Sequence, residues 1–166
     1  MKISIVRDVK CPVRGTEKSA GLDFYVPRDF NKGKAFTLHP GKDVLIPSGI
    51  IASVPENCML MCADKSGVAT TFFAAKKAGR TPKKEALKSN IIVGAKIVDE
   101  DYQGEIHIHV VNVGNRVVSI QPDFKIAQFI VVPVVYENVM VVEKEELFSV
   151  KTERGDKGIG LGTGNK

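Results

Sequence analysis

The sequence predicts an all-β fold, a sandwich or a barrel, on three observations. Short apolar segments, many with period-two alternation, dominate the chain. Gly, Pro, Asn and Asp punctuate them at close intervals. Helix signals are few. Many short strands with few helices specify this class. With 166 residues and 43% hydrophobic side chains the chain matches one ordinary domain. A domain near this size buries roughly 70% of its unfolded surface, enough for a real core.

The elements follow in order. A strand is expected over residues 2–7, and Pro27 punctuates the stretch beyond it. A second covers 35–38 and ends at Pro40-Gly41. Pro47-Ser48-Gly49 leads into 50–54, and Pro55-Glu56-Asn57 leads into 58–63. Cys58 and Cys62, four apart in that strand, share a face. Further strands are expected over 91–98 and 105–112. In the latter, His107 and His109 alternate with Ile106, Ile108 and Val110, so both histidines point one way. Gly114-Asn115 and Pro122-Asp123 mark turns before a strand at 126–136. That strand is mostly apolar on both parities, which predicts burial of both faces. Thr81-Pro82 supplies an N-cap and a first-turn proline for a short helix over 83–87, and 143–147 suits another. Residues 153–166 are glycine-rich, with Ile159 and Leu161 as their only apolar side chains. Such a stretch cannot bury a face of its own, leaving a disordered tail or an arm that orders on something else.

Net charge is +5, and its location matters more than its size. Residues 76–88 hold six cations (Lys76, Lys77, Arg80, Lys83, Lys84, Lys88) and one anion, Glu85. The remainder, with 18 cations and 18 anions, is neutral. The basic balance therefore belongs to one segment and not to the domain. Three cysteines, at 11, 58 and 62, without a signal-peptide plan at Met1-Lys2-Ile3-Ser4, suit reduced thiols in a cytoplasm-like compartment. A zinc site needs about four ligands in paired clusters. No partner cluster is evident, so buried thiols are expected. No apolar run approaches the ~20 residues of a membrane span, and no membrane association is expected.

Four constellations carry chemistry. In the glycine-rich tail, Arg154-Gly155 onward, closely spaced glycines let backbone N–H groups approach phosphate oxygens, and Arg supplies a bidentate donor. Taken in isolation, the motif is explained better by a flexible tail. Asp64-Lys65-Ser66-Gly67 follows a strand, and its cation, hydroxyl and glycine suit an oxyanion or a plain polar turn. Asp99-Glu100-Asp101-Tyr102-Gln103-Gly104-Glu105 bridges two apolar strands. A carboxylate leaving a strand end there suits a general base for water, or a solvated turn. Asp23, in Ser19-Ala20-Gly21-Leu22-Asp23-Phe24, is a lone acid in an apolar strand start. It must find a backbone donor, a cation or a hydrated metal.

Each signal is weak alone; their order and spacing are specific. Across essentially the whole chain the sequence resembles the trimeric dUTP pyrophosphatase (dUTPase) family. Ala20-Gly21-Leu22-Asp23 looks like that family's first motif. Asp64-Lys65-Ser66-Gly67 resembles the second, usually Pro-Arg-Ser-Gly. The stretch Ile97-Val98-Asp99-Glu100-Asp101-Tyr102-Gln103-Gly104-Glu105 matches the third closely. Lys125-Ile126-Ala127-Gln128 resembles the fourth, and Arg154-Gly155 through Gly164 the fifth.

The resemblance implies a distorted β jelly roll (a dUTPase-like β-clip) over residues 1–152, with a lid arm at 153–166 and a basic insertion at 72–90. It implies a homotrimer whose three sites lie at subunit contacts. Each would draw the third motif from one chain, the phosphate-binding motifs from a second, and the glycine-rich arm from the third, closing as a lid. The reaction implied is hydrolysis of dUTP to dUMP and pyrophosphate with Mg2+, which limits uracil in DNA and supplies dUMP for thymidylate synthesis. Asp99 would deprotonate the water attacking the α-phosphorus. Tyr102 would pack under the deoxyribose and exclude a 2′-hydroxyl. Lys65, Ser66, Gly67, Arg154 and Gly155 would hold phosphates, Ser66 as a catalytic residue around the bridging oxygen that leaves and Arg154 at the terminal phosphate, with Gln128, also catalytic, at the α-phosphate and Asp23 on waters of the metal. Backbone groups of a hairpin at 93–98, including Val93, Gly94 and Val98, would read uracil, and Ile159, Gly160 or Leu161 would cover it.

The departures are informative. Lys65 and Lys125 stand where the family commonly has Arg, keeping charge and losing the bidentate fork. Val93 stands where an Asn commonly binds uracil. Ile159 or Leu161 replaces a stacking Phe, so the lid is expected to contribute less affinity. The basic insertion suits a solvated excursion, a contact for an acidic partner or nucleic acid, or an electrostatic funnel for the triphosphate. Phe72 and Phe73 precede its charges, so no interleaved aromatics mark base stacking. The insertion and the divergent motifs are compatible with a phage or viral origin. His107 and His109 are either a His-x-His metal pair without a third ligand or histidines on the polar face of a strand. A dCTP deaminase is the nearest rival, but His109 stands at or beside its catalytic Glu and Asp101-Tyr102 replaces its Pro-Gly-aromatic turn. A regulatory binding module on the same scaffold is the other, and the retained site residues disfavour it as the main role.

Overall fold

The computed structural model describes residues 1–70 and 91–156. It forms two units, Met1–Val135 and Tyr136–Lys166. The described residues hold twelve strands: β1 (Lys2–Ile5), β2 (Val13–Arg14), β3 (Leu22–Tyr25), β4 (Phe36–Leu38), β5 (Asp43–Pro47), β6 (Ile50–Ser53), β7 (Cys58–Asp64), β8 (Ile91–Val93), β9 (Ile97–Val98), β10 (His107–Asn112), β11 (Val118–Ile120) and β12 (Lys125–Pro133). One short helix, α1 (Ser66–Thr70), and a 3-10 turn at Phe30–Gly33 complete them.

The largest sheet runs β2-β3-β12-β7-β9. A second runs β5-β10-β8, and β1-β6 and β11-β4 form two separate pairs. Neighbouring strands are antiparallel throughout. Strand alternation sends Leu60, Cys62, Phe24 and Phe129 inward, where the Phe24 and Phe129 rings lie 4.3 Å apart. Ile46, Ile108 and Val110 of the second sheet join the same core. Each such side chain contributes about 1.5–3 kcal/mol by leaving water.

The all-β expectation holds, and several boundaries differ. Residues 91–98 are not one strand. β8 pairs with β10 in one sheet and β9 with β7 in another, so Gly94–Lys96 crosses between sheets. The expected hairpin at 93–98 is therefore a crossover. A side chain on Gly94 would collide with the His109 ring, which is why the chain turns there without one. β12 stops at Pro133; Ile126, Ala127 and Phe129 are buried while Gln128, Ile130, Val131 and Val132 are half-buried, so neither face is covered along its whole length. Residues 143–147 make a turn rather than a helix, with Glu146 N–H on Glu143 O. The helix expected at 83–87 and the basic residues 76–88 lie outside the described residues. β2, β11 and α1 escaped the pattern because each is short, and β5, in which only Ile46 is buried, escaped it too. Buried thiols hold only for Cys62; Cys58 is half-buried and Cys11 exposed. No described helix is long and apolar enough to cross a membrane.

Candidate active site

Asp23 sits in β3 directly opposite Gln128 of β12, which in turn stands opposite Ala63 of β7. Cross-strand partners share a face, so Asp23 and Gln128 rise together from the sheet surface that faces away from Phe129. Asp23 is only 3% exposed. A carboxylate so buried needs partners, and it has two: Lys65 Nζ lies 2.8 Å from Oδ1 and Lys125 Nζ 2.9 Å from Oδ2. Burial opposes the charge, but the hydrogen bonds from Lys65 and Lys125 outweigh it and hold Asp23 below the ordinary carboxylate range. Asp23 in turn raises the Lys125 ammonium, which also stands 5.6 Å over the Tyr25 ring.

Gln128 donates Nε2–H to the Asp64 carbonyl at 3.0 Å. Gly21 lies against it so closely that a Cβ would come within 2.6 Å of Gln128 Oε1. Lys65 leaves β7 and its carbonyl accepts N–H bonds from Val68 and Ala69, starting α1 and placing Ser66 and Gly67 at the surface. The stretches around residues 21–23, 64–67 and 125–128 thus meet at one end of the large sheet, although more than a hundred residues separate Asp23 from Lys125.

The third stretch is organised apart from them. Asp99 is exposed just beyond β9, and its carbonyl accepts the Tyr102 N–H at 3.2 Å. Tyr102 donates its hydroxyl to Glu105 O at 2.9 Å and folds over Gly104, with the residue 44% exposed. Glu105 is clamped: Oε1 accepts from Arg7 Nε at 2.7 Å and from Gly49 N–H at 2.8 Å, and Oε2 from Arg7 at 3.2 Å. Against the cost of burial, these bonds hold the Glu105 carboxyl low. Tyr102, Glu100, Asp101 and Gln103 face Ile51–Ser53 across an open cleft of about 320 Å³.

One chain does not bring the two groups together. Val98 pairs with Leu60, four residues or about 13 Å along β7 from Asp64, and Asp99 continues away from it.

In the segment at 93–98, Val93 is buried and its N–H is bound by Asp64 Oδ1 at 2.7 Å. Gly94 N–H binds His109 O, and Lys96 O accepts Cys62 N–H. Val98 is half-buried. β9 is an edge strand, so one rank of its backbone groups faces away from β7. In the second unit Arg154 and Gly155 are exposed, with Gly155 at φ +55° and its N–H on Thr152 O. Ile159, Gly160 and Leu161 lie outside the described residues. His107 binds Glu105 O and His109 binds Asp43 Oδ2 at 3.0 Å. Among the described residues no cluster of three or more His, Cys, Asp or Glu forms a metal site. Roles for Asp64, Glu105 and Arg7 were missed by sequence reasoning. Asp64 and Glu105 stand inside quoted motifs, while nothing near Arg7 signals its partner 98 residues away.

The dUTPase family model matches residues 74–163. A deoxyuridine 5'-triphosphate nucleotidohydrolase of Fusobacterium nucleatum is 32% identical over 96% of this chain and 95% of its own. The rabbitpox virus enzyme of the same name is 31% identical over 91% and 84%. Among solved structures, Staphylococcus bacteriophage 80alpha dUTPase with dUPNHPP superposes with a TM-score of 0.73 at 19% identity, covering 96% of both chains. A dUTPase of phage phi11 of S. aureus, whose structure details coordination of a structural Mg(II) ion, gives 0.65 at 16% identity, covering 86% of this chain and 96% of that one. The 80alpha and phi11 likenesses establish the jelly-roll-like β fold, and the family model with the two sequence relatives establishes descent: this chain belongs to the dUTPase family.

Proposed function

We propose that this chain hydrolyses dUTP to dUMP and pyrophosphate. The observation that carries the reading is the buried Asp23 with Lys65 and Lys125 on its two oxygens, beside Gln128 and the exposed Ser66-Gly67 corner. That set gathers cations and polar donors at one sheet end, where a polyphosphate's charge is offset. Lys65, Ser66 and Gly67 hold phosphates, and Gln128 lies beside them to contact the α-phosphate. Asp99 accepts a proton from the attacking water, its exposure leaving it open to solvent and substrate. Tyr102, its hydroxyl tied back to Glu105 O, presents its ring face to the deoxyribose. Backbone groups along 93–98 read uracil. Val93 and Gly94 N–H groups are already engaged, and the outer edge of β9, an edge strand, offers backbone groups for this role. Arg154, Gly155 and the arm beyond them close over the nucleotide.

The donor set fits Mg2+ in one way. Asp23 is a buried carboxylate, and among the described residues no group of three or more His, Cys, Asp or Glu surrounds it, which suits an ion held mainly by the triphosphate, with Asp23 on its waters. Bound there, Mg2+ would neutralise phosphate charge.

The about 13 Å along β7 between Asp64 and Leu60, the partner of Val98, supports a site shared between copies, as in a homotrimer. The second unit also exposes Val139, Met140, Val141 and Phe148 almost fully, apolar surface that a neighbouring copy would cover. The decisive experiment is pyrophosphate release across dUTP, dTTP, UTP and dCTP, with ammonia release from dCTP measured in parallel. Selective pyrophosphate release from dUTP is expected. Ammonia release from dCTP without it would replace the reading with a deaminase.

A further inference from the structure

Asp64 is the last residue of β7 and shares the inward parity of Leu60 and Cys62, both buried. An acid at a core-facing position must find a donor or disrupt the core. Its donor is the Val93 N–H at 2.7 Å, on the free edge of β8, which belongs to the other sheet. The same residue's carbonyl accepts Gln128 Nε2–H, and the next residue, Lys65, binds Asp23. Two connections therefore converge on Asp64, to the segment at 93–98 and to Gln128, and its neighbour Lys65 adds a third, to Asp23. The placement is costly, since a carboxylate beside cations meant for phosphate opposes the ligand's charge. A hydrophobic residue would satisfy the inward position without that cost, while leaving the Val93 N–H without an acceptor.

Resting on the dUTP reading, we propose that Asp64 is a positioning residue for base selectivity. Through its bond to Val93 it fixes the start of the 93–98 segment relative to the sheet that carries the phosphate-binding residues. The outer edge of β9 is then presented at a width that admits uracil and rejects thymine's methyl group. Asp64 touches no reacting atom; it acts through Val93.

Three variants separate this from a general role in stability or charge. Asp64→Asn keeps an acceptor at Oδ1 and loses the charge. Asp64→Glu keeps the charge and displaces the acceptor by one methylene. Asp64→Ala removes both. The measurement is kcat/KM for dUTP and for dTTP, with melting temperatures alongside. The ratio of the two is expected to fall about 10-fold or more in Asp64→Glu and Asp64→Ala, within the range by which a pocket discriminates one methyl group, and to stay at the wild-type value in Asp64→Asn. A merely structural role would lower both nucleotides alike and leave the ratio unmoved. An unchanged ratio in Asp64→Glu overturns the proposal. So does loss of selectivity in Asp64→Asn with Asp64→Glu intact, since charge would then be what matters. If Asp64→Ala fails to fold, the Asn and Glu variants still decide. A wild-type protein that releases no pyrophosphate from dUTP would overturn the functional reading itself, a result distinct from any of these.

Discussion

Lys65 Nζ lies 2.8 Å from Asp23 Oδ1, joining the end of β7 to the buried middle of β3 across 42 residues of sequence. Lys125 holds the other oxygen, so both cations of the proposed site are already oriented by one acid. Asp23 is the hub of the site as well as a candidate metal partner, and substitutions there should affect pH stability and turnover together.

The pH prediction follows from its depressed pKa. A carboxyl whose folded pKa lies below its unfolded value stabilises the fold above the unfolded pKa, near ~3.9 for Asp, and that contribution is lost as pH falls through the lower folded value. Glu105, likewise depressed, adds to the same acid limb. Thermal melts from pH 7 down to 2 should show stability falling below about pH 4 in the wild type, and a shallower fall in Asp23→Asn. An identical acid limb in the two proteins would remove Asp23 from this role.

Asp99→Asn should abolish most turnover while leaving the fold alone. Removing a general base typically costs 10²–10⁴-fold, so kcat for dUTP should drop by about 10³. Asp99 is exposed beyond a strand end, so the melting temperature should shift little. Turnover near wild type would exclude it as the base.

The ring of Tyr102, not its hydroxyl, should set sugar discrimination. Tyr102→Phe loses only the bond to Glu105 O and should keep the preference for dUTP over UTP. Tyr102→Ala should lower that preference by roughly 10-fold or more as the ring face disappears. Steady-state kinetics on both nucleotides decide between the two.

The Arg7–Glu105 clamp should matter for stability more than its place near the N-terminus suggests. Glu105→Ala leaves the Gly49 N–H and the Arg7 guanidinium without their acceptor. Denaturant titration should show a loss of about 1–3 kcal/mol. Arg7→Ala should cost less, about 1 kcal/mol, because Arg7 is itself 36% exposed.

Thiol labelling should follow burial. The Cys62 thiol is pushed up to about 12 by desolvation and by the nearby Asp64 charge, so it stays neutral at ordinary pH. Cys11, exposed, should alkylate first, Cys58 more slowly, and Cys62 only on unfolding. Mass mapping of iodoacetamide adducts at pH 8 checks the order, and early modification of Cys62 would contradict its burial.

The sequence by itself determined the class and the parts. Period-two apolar segments with close turn punctuation specify β structure because strand alternation is a local property, and five ordered motifs carry the family because each is contiguous. His107 and His109 sharing the less buried face of β10 was legible for the same local reason. Tertiary structure alone decided which parts meet. No spacing rule predicts that Asp23 takes Lys65 and Lys125 together, that Arg7 reaches Glu105, or that the expected hairpin at 93–98 splits between two sheets. Those outcomes depend on strand order and register, set by how whole faces bury against each other, with single residues then finding whatever donor that packing brings near. Asp64 shows the difference: its motif was visible in the chain, but its bond to Val93 exists only because two sheets close on one core.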